Sequence, residues 1–178
     1  MMPIGPLMKE HRLIEKMLRL MEREVGRMAR EKNADARFIE TAVDFIRTYA
    51  DRCHHGKEED ILFKRLATKK LSADERRMMQ ELIDDHKLGR KAVARLVSAK
   101  DAYERGGSTA ISGIITEMRW LADFYPKHIE KEDKHFFLPV MDYLSDSEKE
   151  AMLKEMAEFD SAFIHNKYAE VVQNLSKK

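Results

Sequence analysis

Apolar residues recur along this chain at intervals of three and four, the spacing of a helix with one buried face. Leu7, Ile14, Leu18, Met21, Val25 and Met28 make the first such stripe and predict a helix from Leu7 to about Glu31. Lys32-Asn33-Ala34-Asp35 breaks it, with Asn33 or Asp35 able to cap the next helix. Helix two should run from about Asp35 to Ala67. Its early face is Phe38, Ala42, Phe45, Ile46 and Tyr49, and its late face Leu62, Phe63 and Leu66. The two faces fall out of phase on an ideal helix, so a bulge or kink is expected between Tyr49 and Gly56.

Ser72-Ala-Asp-Glu75 reads as a capping box that starts helix three. Its stripe is Met79, Leu82, Ile83, His86, Val93, Leu96 and Val97, ending near Arg105. Gly106-Gly107-Ser108 closes that helix and opens the fourth, whose face is Ile111, Ile114, Ile115, Met118, Leu121, Tyr125, His128, Glu132 and Phe136. Pro126 should kink it. Ser145-Asp-Ser-Glu148 starts a fifth helix, expected from about Ser147 to Asn174, with Met152, Met156, Phe159, Phe163 and Val171 on its apolar side. The predicted fold is all-α: an up-down-up-down four-helix bundle over residues 1–142, then a C-terminal helix in 143–178 that packs on the bundle or on a second subunit, as in a homodimer.

Composition narrows this little. The chain has 178 residues, 43% apolar and 37% charged, with 7 Gly and 4 Pro, which suits one helical domain. A net charge of +1 and the absence of a long apolar run argue against nucleic-acid and membrane partners. The single cysteine, Cys53, excludes an internal disulfide and fits a reducing, cytoplasmic compartment.

Histidines interrupt the apolar stripes, and they do so in a pattern. His-x-x-x-Glu-Asp occurs at His55 to Asp60, with Glu59, and again at His128 to Asp133, with Glu132. Residues four apart on a helix share a face, so each pair presents an imidazole beside a carboxylate. Fold helices one and two about Asn33, and His11 and His55 stand equally far from the tip; fold helices three and four about Gly107, and so do His86 and His128. Each lies roughly 30 Å from its hairpin tip at the rise of an α-helix. All four then meet in one layer of the bundle. A lone histidine in an apolar stripe is ordinarily a hydrogen-bonded core residue, and a charged run is ordinarily a solvated face. Four level histidines with two buried carboxylates instead point to metal, because unpaired carboxylates in a core are costly. Imidazole with carboxylate suits iron, manganese or zinc. Six ligands exceed one tetrahedral zinc, and two ions sharing Glu59 and Glu132 would use them all.

With Glu-His-Arg-Leu-Ile-Glu around His11, His-His-Gly-Lys-Glu-Glu-Asp-Ile-Leu-Phe at 54–63, Asp-His-Lys-Leu-Gly-Arg at 85–90 and His-Ile-Glu-Lys-Glu-Asp at 128–133, the chain resembles the hemerythrin-like, HHE cation-binding family. The resemblance covers roughly residues 7–142. It implies two iron ions bridged by two carboxylates and often an oxo or hydroxo group, with His11, His55, Glu59, His86, His128 and Glu132 as ligands and zinc or manganese as substitutes. Oxygen carriers of this kind have a second histidine one turn after the helix-three ligand, where this chain has Arg90. One metal then has a ligand fewer, which argues against simple reversible oxygen transport. The pattern is closer to the wider group of sensors, peroxide-reactive proteins and iron-sulfur repair proteins, although no Cys-x-x-Cys is present. The expected function is binding of, or reaction with, dioxygen, peroxide or nitric oxide. The alternatives are a peroxidase- or catalase-like enzyme and an iron-responsive interaction module. Glu15 is a further candidate near the site; His54 and Glu58 should point about 100° away from His55 and Glu59, in the second shell or on the surface, by α-helical geometry.

Overall fold

The computed structural model describes residues 2–107, 109–160 and 162–177, with side chains at 162–166 outside the description. Among these residues there is no strand. Six main helices are formed by the described residues: α1 (Ile4–Glu31), α2 (Ala36–Asp44), α3 (Ala73–Glu104), α4 (Ala110–Glu130), α5 (Asp146–Phe159) and α6 (Ala162–Ser176). α1 packs on α4, α4 on α3, α3 on α2 and its continuation, and that continuation on α1, closing a four-helix ring. None of the described helices is long and apolar enough to cross a membrane.

Local chemistry starts and stops these helices as the sequence predicts. The Asp35 side chain accepts a hydrogen bond from the Phe38 N–H. Ser72 with Glu75 and Ser145 with Glu148 form complete capping boxes, each satisfying two backbone N–H groups that a helix start leaves free. Lys32 takes a left-handed conformation after α1, and Gly106 does so after α3 at φ 91°, where a side chain would be strained. Ser108, expected to cap α4, lies outside the described residues.

α2 does not end at Asp44. The chain continues unbroken through π-helical turns at Phe45–His55 and Glu58–Phe63 to a last α-turn at Lys64–Leu66. α4 likewise passes into a π-turn at Lys131–Phe136 before its end at Phe137–Val140. A π-turn closes with bonds from i to i+5 and so holds more residues per turn than an α-turn. The phase break expected between Tyr49 and Gly56 is this widening.

The fifth predicted helix is two helices. The chain breaks at Asp160, whose backbone is extended (φ −84°, ψ 122°). The break turns the Asp160 carboxylate onto the ammonium of Lys57, at 2.5 and 2.6 Å. Met152 and Met156 of α5 then join one apolar cluster, and Tyr168 and Val172 of α6 join the other. Phe163 lies outside the described side chains.

Those two clusters set the place of the site. The larger holds Ile14 to Met28 of α1, Ile39 to Ala50, Ala92 to Leu96 and Ile114 to Ile129. The smaller holds Ile4 and Leu7, Ile61 to Leu71, Leu82 and Phe136 to Leu144. On every helix of the ring a buried polar segment separates them: Glu10 and His11; His54, His55, Lys57 and Glu58; His86; His128 and Glu132. Leu121 is fully buried in the larger cluster. Leu121→Ala should lower the unfolding free energy by about 2–5 kcal/mol, read from urea titration, as large-to-small core changes do.

Candidate metal centre

The buried polar layer resolves into two groups whose nitrogen and oxygen atoms lie within 4.8 Å of one another. One contains His55, His86 and His128; the other contains His11, His54, Glu58 and Glu132. The two carboxylates join the groups. Glu58 places Oε1 3.2 Å from His54 Nε2 and Oε2 3.4 Å from His86 Nε2. Glu132 places Oε2 3.1 Å from His11 Nε2 and Oε1 3.3 Å from His128 Nε2. Each carboxylate thus turns one oxygen to each histidine group.

Five of the six residues read as ligands from the sequence are therefore brought together: His11, His55, His86, His128 and Glu132. Glu59 is not among them. Its Oε1 lies 2.7 Å from His86 Nδ1 and accepts from Arg90 at 2.7 Å, on the side of the bundle. The inward carboxylate is Glu58, fully buried, and it comes with His54, which was expected to face away. The physical reason is the π-helix. Its wider turn lets the neighbours His54 and His55 both face the interior, at 1% and 2% exposure. A signal was present in the chain. His54, Glu58, Leu62 and Leu66 are each four apart, so counting back from the two leucines reaches His54 and Glu58, as counting back from Glu132 reaches His128.

The second nitrogen of every one of these histidines faces a carboxylate. His11 Nδ1 is 2.7 Å from Asp133, His54 Nδ1 is 2.8 Å from Glu10, and His86 Nδ1 is 2.7 Å from Glu59. His55 Nδ1 is 3.3 Å from Asp51 and His128 Nδ1 is 3.3 Å from Asp85. A proton held on Nδ1 leaves Nε2 as a bare donor atom pointing inward, the arrangement that orients metal-binding imidazoles. Each carboxylate is itself held by a cation: Asp133 by Arg12, Glu10 by Lys57, Asp51 and Glu59 by Arg90, Asp85 by Lys131. Four of these five carboxylate partners lie on another helix and meet their histidine only in the folded bundle; Asp51 alone stands one turn before its histidine on the same helix.

Other side chains near the layer stay outside these groups. Glu15 pairs with Arg12. His135 is exposed, and the side chain of His165 lies outside the described residues. Tyr125 is buried, its ring 6.0 Å from that of His55 and 6.3 Å from that of His128. Gly89 makes room for it, since a Cβ there would stand 2.7 Å from the Tyr125 hydroxyl. Glu10, Cys53 and Asp160 form a third cluster, but the buried ammonium of Lys57 already bonds both of its carboxylates. Burial and the bond to Asp160 push the Cys53 thiol up to about 12.

The inward atoms fit a cation and fit little else. His11 Nε2, His54 Nε2, His86 Nε2, His128 Nε2 and both oxygens of Glu58 and of Glu132 are buried without a hydrogen-bond partner. So many unpaired polar atoms in one core layer would be strongly destabilising. Donor atoms held about 2.1 Å from a common ion stand about 3 Å apart, close to the spacings here. With no cation present, protons take its place. Burial lowers a histidine, yet the charge of Glu58 and the bond to Glu10 raise His54 to about 10. Against the same burial, contacts with Glu132, Glu58 and Glu59 raise His86 to about 11. His55, buried beside His86, is held well below its ordinary value and stays neutral.

The match of a family model describes the same region: the hemerythrin HHE cation binding domain model matches residues 2–138. No curated protein and no solved structure matches the chain.

In the metal-free protein, His54 and His86 should still be protonated at about pH 8.5 by NMR, and Glu58→Gln should lower both. Because both values are raised, their contribution to metal-free stability is complete below pH 6.5 and vanishes as pH rises through about 10 to 11. Chemical denaturation across that range measures it.

Proposed function

The chain belongs to the hemerythrin HHE cation-binding family, and from that premise we propose that it is a non-haem di-iron protein that binds or reacts with dioxygen, peroxide or nitric oxide, in sensing or detoxification. One observation carries the reading: Glu58 and Glu132 each turn one oxygen to each of two histidine groups. That is how a carboxylate shared by two ions must lie. In this reading His55, His86 and His128 hold one ion, and His11 and His54 hold the other. The ligand set is seven residues, with Glu58 in place of Glu59 and with His54 added. The histidine that Arg90 displaces from α3 is thereby made up on α2, and the deficit inferred from the sequence disappears.

Iron bound there supplies redox chemistry and a coordination position for a small ligand. The His11–His54 group has one imidazole fewer than the other, so an ion held there would have more room for such a ligand. The Phe137 ring stacks on His11 at 5.7 Å, and Phe136 and Leu62 are fully buried below the layer. Such apolar cover keeps water out and favours small uncharged ligands over ions. The lone, buried Cys53 suits work in a reducing, cytoplasmic setting.

Iron analysis after anaerobic reconstitution should find two irons per chain, and separate additions of dioxygen, peroxide and nitric oxide should each be followed by absorption. A folded protein that takes up no iron overturns the reading, and sustained peroxide consumption would make it an enzyme. Glu58→Ala should cut iron content to one or fewer per chain and abolish bridge-type near-ultraviolet absorption. Glu59→Ala should keep two irons and bind one of them more weakly, by about 10–100-fold, as loss of an outer hydrogen bond does.

A further inference from the structure

Arg90 stands one helical turn after His86 and is partly exposed, 39% for its side chain. Its guanidinium donates from Nε to Asp51 Oδ1 at 2.7 Å and from Nη2 to Glu59 Oε1 at 2.7 Å. The same two oxygens face histidines: Asp51 Oδ1 lies 3.3 Å from His55 Nδ1, and Glu59 Oε1 lies 2.7 Å from His86 Nδ1. One planar group therefore closes two carboxylate–histidine pairs at once. Asp51 and Glu59 both come from the π-helical part of α2, two turns apart, and Arg90 crosses to them from α3.

The two imidazoles so held are stacked, centroids 3.8 Å apart and planes 12° apart. The Tyr125 ring is stacked with His55 at 6.0 Å and the Phe63 ring with His86 at 6.1 Å, contacts that restrain ring tilt but offer no polar partner to either Nδ1. The Nδ1 atoms, which set where each Nε2 points, are held by Asp51 and Glu59. Asp51 and Glu59 are 27% and 29% exposed and would otherwise turn to water. An arginine fork can hold both; a lysine ammonium is a point charge that holds one well.

We propose that Arg90 is a positioning residue that presets His55 and His86 for one of the two cations, so that it controls the affinity of the His55–His86–His128 site and leaves the His11–His54 site alone. The inference rests on the two-cation reading above. It also gives the position a role of its own: where carriers place a histidine, this chain places the cation that aims two others.

The test is anaerobic titration of the metal-free protein with ferrous iron, and with cobalt(II) as a coloured probe, followed by absorption and by calorimetry. Wild type should take two equivalents. Arg90→Met should retain one and bind the other about 10–100-fold more weakly. Arg90→Lys should fall between them, and Arg95→Met, which breaks only the exposed pair with Glu117, should match wild type. Metal-free Arg90→Met should melt where metal-free wild type does, whereas the loaded forms should differ. Should Arg90→Met not fold, Asp51→Asn removes the His55 arm alone and must weaken the same equivalent. Two equivalents bound by either variant as tightly as by wild type overturn the role of Arg90. Fewer than two bound by wild type overturn the two-cation reading itself.

Discussion

Two carboxylates with no hydrogen-bond donor, Glu58 and Glu132, sit fully buried in the middle of an apolar bundle. That is the constraint on which the rest of the structure depends. A bare carboxylate in such a place is stable only beside positive charge. Every helix of the ring contributes to the answer with a histidine or more. The protein divides its hydrophobic core in two to make room, with the larger cluster on one side of the polar layer and the smaller on the other.

Around this layer, charge alternates outward. Inward imidazole nitrogens face the shared carboxylates; outward ones face Glu10, Asp51, Glu59, Asp85 and Asp133. Lys57, Arg90, Lys131 and Arg12 then hold those acids in turn. Each shell removes rotational freedom from the one inside it, which is how a site on mobile side chains is made rigid. The buried Lys57 extends this order to the C-terminal part of the chain, because Asp160 breaks the predicted fifth helix to reach it. α5 and α6 are thus tied to the same layer as the bundle, although their described side chains supply none of its inward atoms.

The π-turns explain the one substitution in the expected ligand set. An α-helix presents one residue per turn to a narrow seam, so adjacent histidines compete for it. Widening the turn at Phe45–His55 lets both enter, and the following turn at Glu58–Phe63 brings in Glu58 and sends Glu59 to α3. Nothing is lost by the exchange, since Glu59 then orients His86 from outside.

The four helices of the ring, the capping boxes at Ser72 and Ser145 and the level of the four histidines His11, His55, His86 and His128 were legible along the chain; the break at Asp160 that divides the fifth predicted helix was not. Periodicity, capping chemistry and equal distances from the hairpin tips are local or nearly local properties. So was the need for a cation, because buried acids and imidazoles cannot be explained by packing. Which of Glu58 and Glu59 faces inward was decided only by the tertiary structure. That choice depends on the width of one turn, and the turn widens because both ends of α2 must pack at once. The same holds for Glu10, Lys57, Asp160 and Arg90: their partners lie on other helices, and only folding brings them within reach. The sequence by itself determined that this layer exists and what chemistry it carries; packing decided which atoms point into it.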